Sequence, residues 1–299
     1  MRIINLKDEF TSEKCYIALG YFDGMHLGHL KIIKTCISDA KRDKVLSSVL
    51  LLDFKNAKSI TTIDDKIKIL EELGIDTVYV IDFTDELKRT EPKVFVKDIL
   101  LDKLKAIKTY SGEDYTFGLD KLGDTALLKD MMKESGGEAI VLNFELDEKM
   151  QKISSSNIKK LILSGEVMSA NKELSRYYSI KSKVIHGKKY GSTVGIPTAN
   201  LNINTGYIIP YQGVYVTKIK IKDQIYKSVT SVGKNLSFNE DFVSVETNIF
   251  DFKDDIYDDT VRLYFIYRIR DMLNFEDKDD LIKQIKSDID FAKNFEDYL

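Results

Sequence analysis

Gly20-Tyr21-Phe22-Asp23-Gly24-Met25-His26-Leu27-Gly28-His29 is the stretch on which the fold of the first half of the chain turns. It separates an apolar run at 16–19, which reads as a strand, from an amphipathic run at 29–40, which reads as a helix. That order places the turn at the carboxyl end of a strand. There an α/β sheet binds its ligands, and a helix start offers free N–H groups and positive dipole to an anion. The small residues let a phosphate approach the backbone. His26 and His29, two of the three histidines in the chain, can donate hydrogen bonds to a triphosphate as charge develops on it. Two plainer readings compete: one imidazole caps the helix while the other is a satisfied, partly buried ring, or the pair binds a metal. No acidic or cysteine ligand completes a metal set at adjacent helical spacing, and the strand, glycines and helix around the histidines favour phosphate.

Working outward, short apolar runs alternate with amphipathic stretches: strands at 46–54, 77–81, 106–110 and 139–142, and helices at 64–73, 92–104 and 122–133. Such alternation specifies a parallel sheet covered by crossover helices, a Rossmann-like α/β domain over 1–164. Residues 154–176 read as helical, with Gly165 marking a break, and 165–177 are expected to link two domains. From 178 to 299 closely spaced strands are expected at 180–186, 213–221, 225–232, 243–250 and 261–267, followed by an amphipathic helix at 277–293. A small antiparallel all-β barrel closed by a terminal helix fits that pattern.

Composition narrows the function classes. The 299 residues are 43% hydrophobic and 31% charged, with a formal net charge of -3, so no global basic field exists to grip nucleic acid. The chain starts without an apolar core of signal-peptide length, and no run approaches the roughly 20 apolar residues of a membrane span. A cytoplasmic protein without nucleic-acid or membrane partners is expected. Cys15 and Cys36 lack metal-ligand spacing and are expected to be reduced and buried.

The decade of residues at 20–29 resembles the HxGH nucleotidyltransferase motif. Its extended form is similar to that of bacterial bifunctional riboflavin kinase/FAD synthetases. Two later segments match in order: Ser111-Gly112-Glu113-Asp114-Tyr115-Thr116-Phe117-Gly118 with Gly123-Asp124, and Ile153-Ser154-Ser155-Ser156-Asn157-Ile158-Lys159. The resemblance implies that Gly20, Phe22, Asp23, Gly24, Gly28, Ser154, Ser155, Ser156 and Lys159 bind ATP and its phosphates. It also implies catalytic roles for His26 and His29, and contact of Asp114 and Phe117 with the flavin. Taken alone, a serine-rich run before a helix reads more simply as an N-cap. Two departures from the family are visible: Lys159 stands where an arginine is usual, and Asp53-Phe54-Lys55-Asn56-Ala57-Lys58 replaces a Pro-His-Pro-like stretch. Lysine substitutes a point charge for a planar two-pronged donor.

In the second half, Gly195-Ile196-Pro197-Thr198-Ala199-Asn200-Leu201 combines a turn with a hydroxyl and a carboxamide two residues apart. If extended, the backbone turns Thr198 and Asn200 to one side, where they can serve one metal or phosphate site. An ordinary turn-to-strand entry is the simpler reading. Residues 178–201 and Gly213-Val214-Tyr215 resemble the flavokinase domain of the same family. Glu246-Thr247-Asn248-Ile249-Phe250-Asp251-Phe252 is similar to the segment carrying that domain's catalytic glutamate. The resemblance implies Glu246 as general base, Thr198 and Asn200 on Mg²⁺, Gly195 and Pro197 on ATP, and Arg270 near the flavin. Gly233-Lys234-Asn235-Leu236-Ser237-Phe238 and Tyr257-Asp258 depart from the family's Gly-x-Arg-Pro-Thr and Tyr-Gly.

The activity so implied is phosphorylation of riboflavin by ATP to FMN, then adenylylation of FMN by ATP to FAD with release of pyrophosphate. Riboflavin, FMN, FAD, ATP and Mg²⁺ are the expected partners. A riboflavin kinase with a degenerate first domain, or a non-catalytic flavin or nucleotide sensor, are the alternatives. The sequence leaves oligomeric state open.

Overall fold

A computed structural model describes residues 1–55, 57–186, 196–233, 243–275 and 277–299. Two units emerge, Met1–Ser155 and Ser156–Leu299. In the first, strands β1 (Arg2–Asn5), β2 (Cys15–Leu19), β3 (Leu46–Asp53), β4 (Thr77–Asp82), β5 (Ala106–Gly112) and β6 (Glu138–Leu142) form a parallel sheet in the order β1-β4-β3-β2-β5-β6. The chain steps outward from β2 through β3 and β4, then crosses back to β5 and β6. Strand order therefore reverses at β2, and the crevice beyond its carboxyl end is the topological switch point where such sheets bind ligands.

All five residues of β2 are buried, as a central parallel strand covered on both faces requires. Alternate side chains serve different cores. Tyr16 and Ala18 pack with Ile33, Cys36 and Ala40 of helix α1 (Leu27–Asp43) and Leu70 of α2 (Ile63–Leu73). Cys15, Ile17 and Leu19 pack on the other face with Leu100, Leu128 and Met132. The two thiols thus belong to opposite faces of the sheet. Burial pushes Cys15 up to about 11 and Cys36 up to about 12.

The expected elements are present, with informative differences. A short helix α3 (Asp85–Lys88) precedes the region expected as one helix at 92–104. That region begins as α4 (Pro92–Val94) and widens into a π-helical stretch, Phe95–Lys103, whose following residue Leu104 bonds back to the Ile99 carbonyl. Helix α5 (Thr125–Glu134) starts later than its apolar pattern implies because Asp124 caps it, accepting from Leu127 N–H at 2.9 Å. The edge strand β1 escaped the sequence pattern; its four residues acquire strand character by pairing with β4.

Helices α6 (Ser155–Leu163) and α7 (Val167–Leu174) are broken at Gly165, whose φ of 83° suits a residue without Cβ and where a Cβ would meet Arg268 Cδ at 2.6 Å. Strands β7 (Tyr178–Ile185), β8 (Ala199–Leu201), β9 (Gly213–Ile221), β10 (Gln224–Gly233), β11 (Ser244–Ile249) and β12 (Thr260–Arg270) close into a barrel in the order β10-β11-β8-β7-β12-β9. Every pairing is antiparallel. Val214, Val216 and Val229 pack with Ala292 of the terminal helix α8 (Lys278–Asn294). Alternate positions carry a chain of buried hydroxyls, Thr217 to Ser228 at 2.8 Å, Thr217 to Thr230 at 2.7 Å and Thr230 to Thr247 at 2.9 Å.

Asn171 on α7 has no exposed surface. Its Nδ2 donates to the Phe265 carbonyl and the Tyr298 hydroxyl, both at 2.9 Å, while its Oδ1 accepts from Tyr178 N–H at 2.6 Å. Because one carboxamide ties helix, strand and terminus together, Asn171→Ala leaves buried groups unpartnered and should cost about 2–3 kcal/mol. Calorimetry should show a lowered unfolding transition for the second unit. Cys15 and Cys36, protonated and buried, should resist thiol reagents at pH 8 and react only once denaturant opens the first unit.

Candidate active sites

Three residues of the glycine-histidine turn adopt left-handed backbone: Phe22 at φ 52°, Gly24 at 81° and Met25 at 45°. These values reverse the chain sharply between β2 and α1. Phe22 is fully buried, and a Cβ on Gly20 would lie 3.0 Å from its ring. His26 is the N-cap of α1, its Nδ1 accepting from His29 N–H at 3.4 Å. With Nδ1 accepting, the neutral ring carries its proton on Nε2, the nitrogen then able to donate. The imidazoles of His26 and His29 stack at 3.6 Å between centroids and 22° between planes. Phe22 meets the His29 ring edge-on at 5.2 Å. A Cβ on Gly28 would come within 3.3 Å of the His26 ring, so glycine here permits the stack. The structure thus brings both histidines to the opening turn of a helix at the switch point.

The turn is held from behind by the segment before α2. The Asp23 side chain has no exposed surface, and its Oδ1 accepts from Ile60 N–H at 2.9 Å and Thr61 N–H at 3.2 Å. Gly24 N–H donates to Thr61 Oγ1 at 2.9 Å, and the Ser155 hydroxyl donates to the Asp23 carbonyl at 2.8 Å. Lys66, 4% exposed, donates to the Tyr21 carbonyl at 3.2 Å and lies 4.8 Å above the Tyr21 ring. Tyr21 meets Phe54 edge-on at 4.6 Å, and Phe54 stacks on Phe83 at 4.3 Å. Thr61, Lys66 and this aromatic row went unread in the sequence. Only their contacts with the turn distinguish them from ordinary helix-start and loop residues.

The remaining residues expected at the first site are placed as follows. Ser154 and Ser155 end the first unit, while Ser156 and Lys159 sit on α6 in the second. Asp114 forms an ion pair with Lys152 at 2.6 Å, and that ammonium lies 3.5 Å above the Phe144 ring. Phe117 is 6% exposed and packs against Tyr115 and Phe95, both at 5.5 Å.

In the barrel, Glu246 on β11 lies opposite Asn200 on β8 and Ser231 on β10. Thr198 Oγ1 donates to Glu246 Oε2 and Ser244 Oγ to Oε1, both at 3.3 Å. Asn248 Nδ2 donates to the Pro197 carbonyl at 2.8 Å, tying the entry of β8 to β11. The turn-to-strand entry expected at 195–201 is realised as the short strand β8, which carries Asn200 and follows directly on Thr198, bringing both to the carboxylate. Gly195 lies outside the described residues. Arg270 is engaged by Asp288 of α8, with Nε to Oδ1 at 3.0 Å and a second nitrogen to Oδ2 at 2.6 Å, so its fork docks the terminal helix.

Comparison with known proteins covers both units. Residues 8–157 match the family described as FAD synthetase, and residues 174–296 match the family described as riboflavin kinase. A bifunctional riboflavin kinase/FMN adenylyltransferase from Listeria monocytogenes is 33% identical over 293 residues, covering 94% of this chain and 92% of its own length. Its counterpart from Bacillus subtilis is 34% identical over 288 residues, covering 92% and 90%. A crystal structure described as a macrolide-efflux protein from Streptococcus pneumoniae superposes with a TM-score of 0.88 and 32% identity, over 99% of this chain and 100% of that one. Among the described residues of the present chain, no helix is long and apolar enough to cross a membrane.

The backbone at Gly24 generates a direct test of the turn. Gly24→Ala places a Cβ on a left-handed residue and should cost about 1–2 kcal/mol. The loss should appear as faster amide hydrogen exchange in the segments before α1 and α2, leaving the barrel strands unchanged.

Proposed function

Since the chain belongs to the bifunctional riboflavin kinase/FMN adenylyltransferase family, we propose that its two reactions run at the two constellations described above. The enzyme phosphorylates riboflavin with ATP to give FMN and adenylylates FMN with ATP to give FAD. Our assignment places adenylyl transfer in 1–164 and riboflavin phosphorylation in 178–299, with 165–177 between them. Use of ATP in both reactions fits a cytoplasmic location.

The two reactions ask different things of the protein. FMN already carries an ionised phosphate near neutral pH, so an FMN phosphate oxygen attacks the α-phosphorus of ATP without a protein base, and pyrophosphate leaves. Alignment and charge stabilisation suffice. His26 and His29 supply donors at the helix start, and Ser154, Ser155, Ser156 and Lys159 are assigned to the nucleotide phosphates. Gly20, Phe22, Gly24 and Gly28 shape the turn around them. Asp23 contributes by fixing that turn, and Asp114 and Phe117 belong to the flavin side.

Riboflavin instead presents a neutral ribityl hydroxyl to the γ-phosphorus. Its proton must be taken up as the new O–P bond forms and the bond to ADP breaks. We assign Glu246 as the acceptor of that proton. The observation that carries this reading is the contact of Thr198 with Glu246 across 48 residues of sequence. Glu246, Thr198 and Asn200 present only oxygen donors, a set suited to a hard divalent cation. Among the described residues, no group of three or more His, Cys, Asp or Glu side chains is placed to hold a metal by itself. That suits Mg²⁺, which is commonly held by few protein ligands together with nucleotide phosphates and waters. Held by Thr198 and Asn200 with the nucleotide, Mg²⁺ would neutralise phosphate charge during transfer. Pro197 and Gly195 are assigned to the ATP loop, and Arg270 to the flavin side of the barrel.

Incubation with riboflavin, ATP and Mg²⁺ should give both FMN and FAD on chromatography; FMN alone would indicate a degenerate first domain, and neither product a sensor. Glu246→Gln should lower FMN formation by about 10²-fold or more while leaving FAD formation from supplied FMN within about threefold. His29→Ala should do the reverse. Equal damage to both reactions by either variant would defeat the assignment of separate sites.

A further inference from the structure

We propose that Thr61 is a positioning residue for adenylyl transfer, acting through the signature turn rather than on the substrate. The inference rests on the assignment of His26 and His29 to that reaction. Thr61 is buried, with 7% of its surface exposed, and precedes α2 by one residue beyond the Thr62 cap. It exchanges hydrogen bonds with the turn in both directions. Its Oγ1 accepts from Gly24 N–H at 2.9 Å, and its own N–H donates to Asp23 Oδ1 at 3.2 Å. Its carbonyl accepts from the Ser59 hydroxyl at 2.9 Å, which ties the loop before α2 back on itself.

The need for such a clamp follows from the backbone. Phe22 and Met25, which flank Gly24, occupy left-handed conformations that persist only where the surroundings over-determine them. Gly24 is itself buried, so its N–H cannot exchange a lost partner for water without the turn moving outward. His26 follows two residues later, and its ring carries the stack with His29. A displaced turn therefore displaces both donors together. Where catalysis is alignment and charge stabilisation, a shift of about 1 Å can cost about 10²-fold in rate. Thr61 controls that alignment through its bonds to Gly24 and Asp23.

FMN formation by the second unit controls for enzyme amount and barrel integrity, and parental amide hydrogen-exchange protection in β2, β3 and α1 of each variant controls for folding of the first unit. Thr61→Val removes the acceptor while keeping the side-chain volume; Thr61→Ser keeps the acceptor and loses a methyl. FAD formation from FMN and ATP, and FMN formation from riboflavin and ATP, are measured on each full-length variant with Mg²⁺. Thr61→Val should lower kcat for FAD formation by about 10- to 100-fold, with KM for FMN and ATP within about twofold. Thr61→Ser should restore kcat to within about threefold of the parent, and FMN formation should be unchanged in both. Parental FAD turnover in Thr61→Val overturns the proposal. So does equal loss in Thr61→Val and Thr61→Ser, a loss confined to KM, or a parallel fall in FMN formation. If Thr61→Val does not accumulate as folded protein, Thr61→Ala against Thr61→Ser makes the same comparison. His29→Ala, run alongside, separates the two layers: full FAD formation there defeats the histidine assignment, whereas its loss there with none in Thr61→Val defeats the role of Thr61 alone.

Discussion

A strand buried on both faces can offer chemistry only at its ends. That constraint governs the first unit: β2 has no exposed side to spare, so the chemistry assigned to this unit falls to the turn that follows it. The reversal of strand order at β2 opens a crevice there. The cost of packing an all-apolar strand into the centre is thus linked to the location of the histidines. In the barrel the geometry differs. Its inner positions are filled by Val245 and Thr247, both fully buried, while the intervening Glu246 faces the other way, toward Thr198 and Ser244. Here the alternation of a strand, rather than its end, presents the carboxylate to which proton uptake is assigned.

The difference matches the chemistry assigned to each unit. A helix start with two stacked imidazoles and flexible reliance on backbone N–H groups suits an attacker that arrives charged. A carboxylate held between two hydroxyl donors suits one that must first lose a proton. Neither arrangement substitutes for the other, because the turn offers donors and the barrel face offers an acceptor.

Much of this was legible in the sequence, and the exceptions share a cause. The alternation of short apolar runs, such as 16–19 and 46–54, with amphipathic stretches gave the parallel sheet, because crossover helices cover both of its faces. The spacing of Gly20, Gly24, Gly28, His26 and His29 was readable because all lie within one local turn. The clamp of Asp23 on the Ile60 and Thr61 amides was not, since it joins segments 37 and 38 residues apart. The resemblance implied Asp23 among the nucleotide-binding residues, and its inward hydrogen bonds to the Ile60 and Thr61 amides are a further feature that a local motif does not display. Likewise Arg270 gives no local sign that Asp288 engages it across 18 residues. The π-helical widening after Val94 was hidden because an amphipathic pattern does not distinguish i+4 from i+5 bonding over so few residues.

The string of hydroxyls running through Thr217, Ser228, Thr230 and Thr247 has a bearing on how the barrel is assembled. It crosses three adjacent strands, and its bonds close only when β9, β10 and β11 are aligned as observed. A slip of one residue along any of them would turn these groups outward and drive the charged flank of that strand into the interior. Misaligned barrels would therefore strand polar atoms at about 1–3 kcal/mol apiece. An interior built of valines alone would tolerate several alignments almost equally. These buried side chains thus act as a vernier, admitting the single β10–β11 pairing that brings Ser231 level with Glu246.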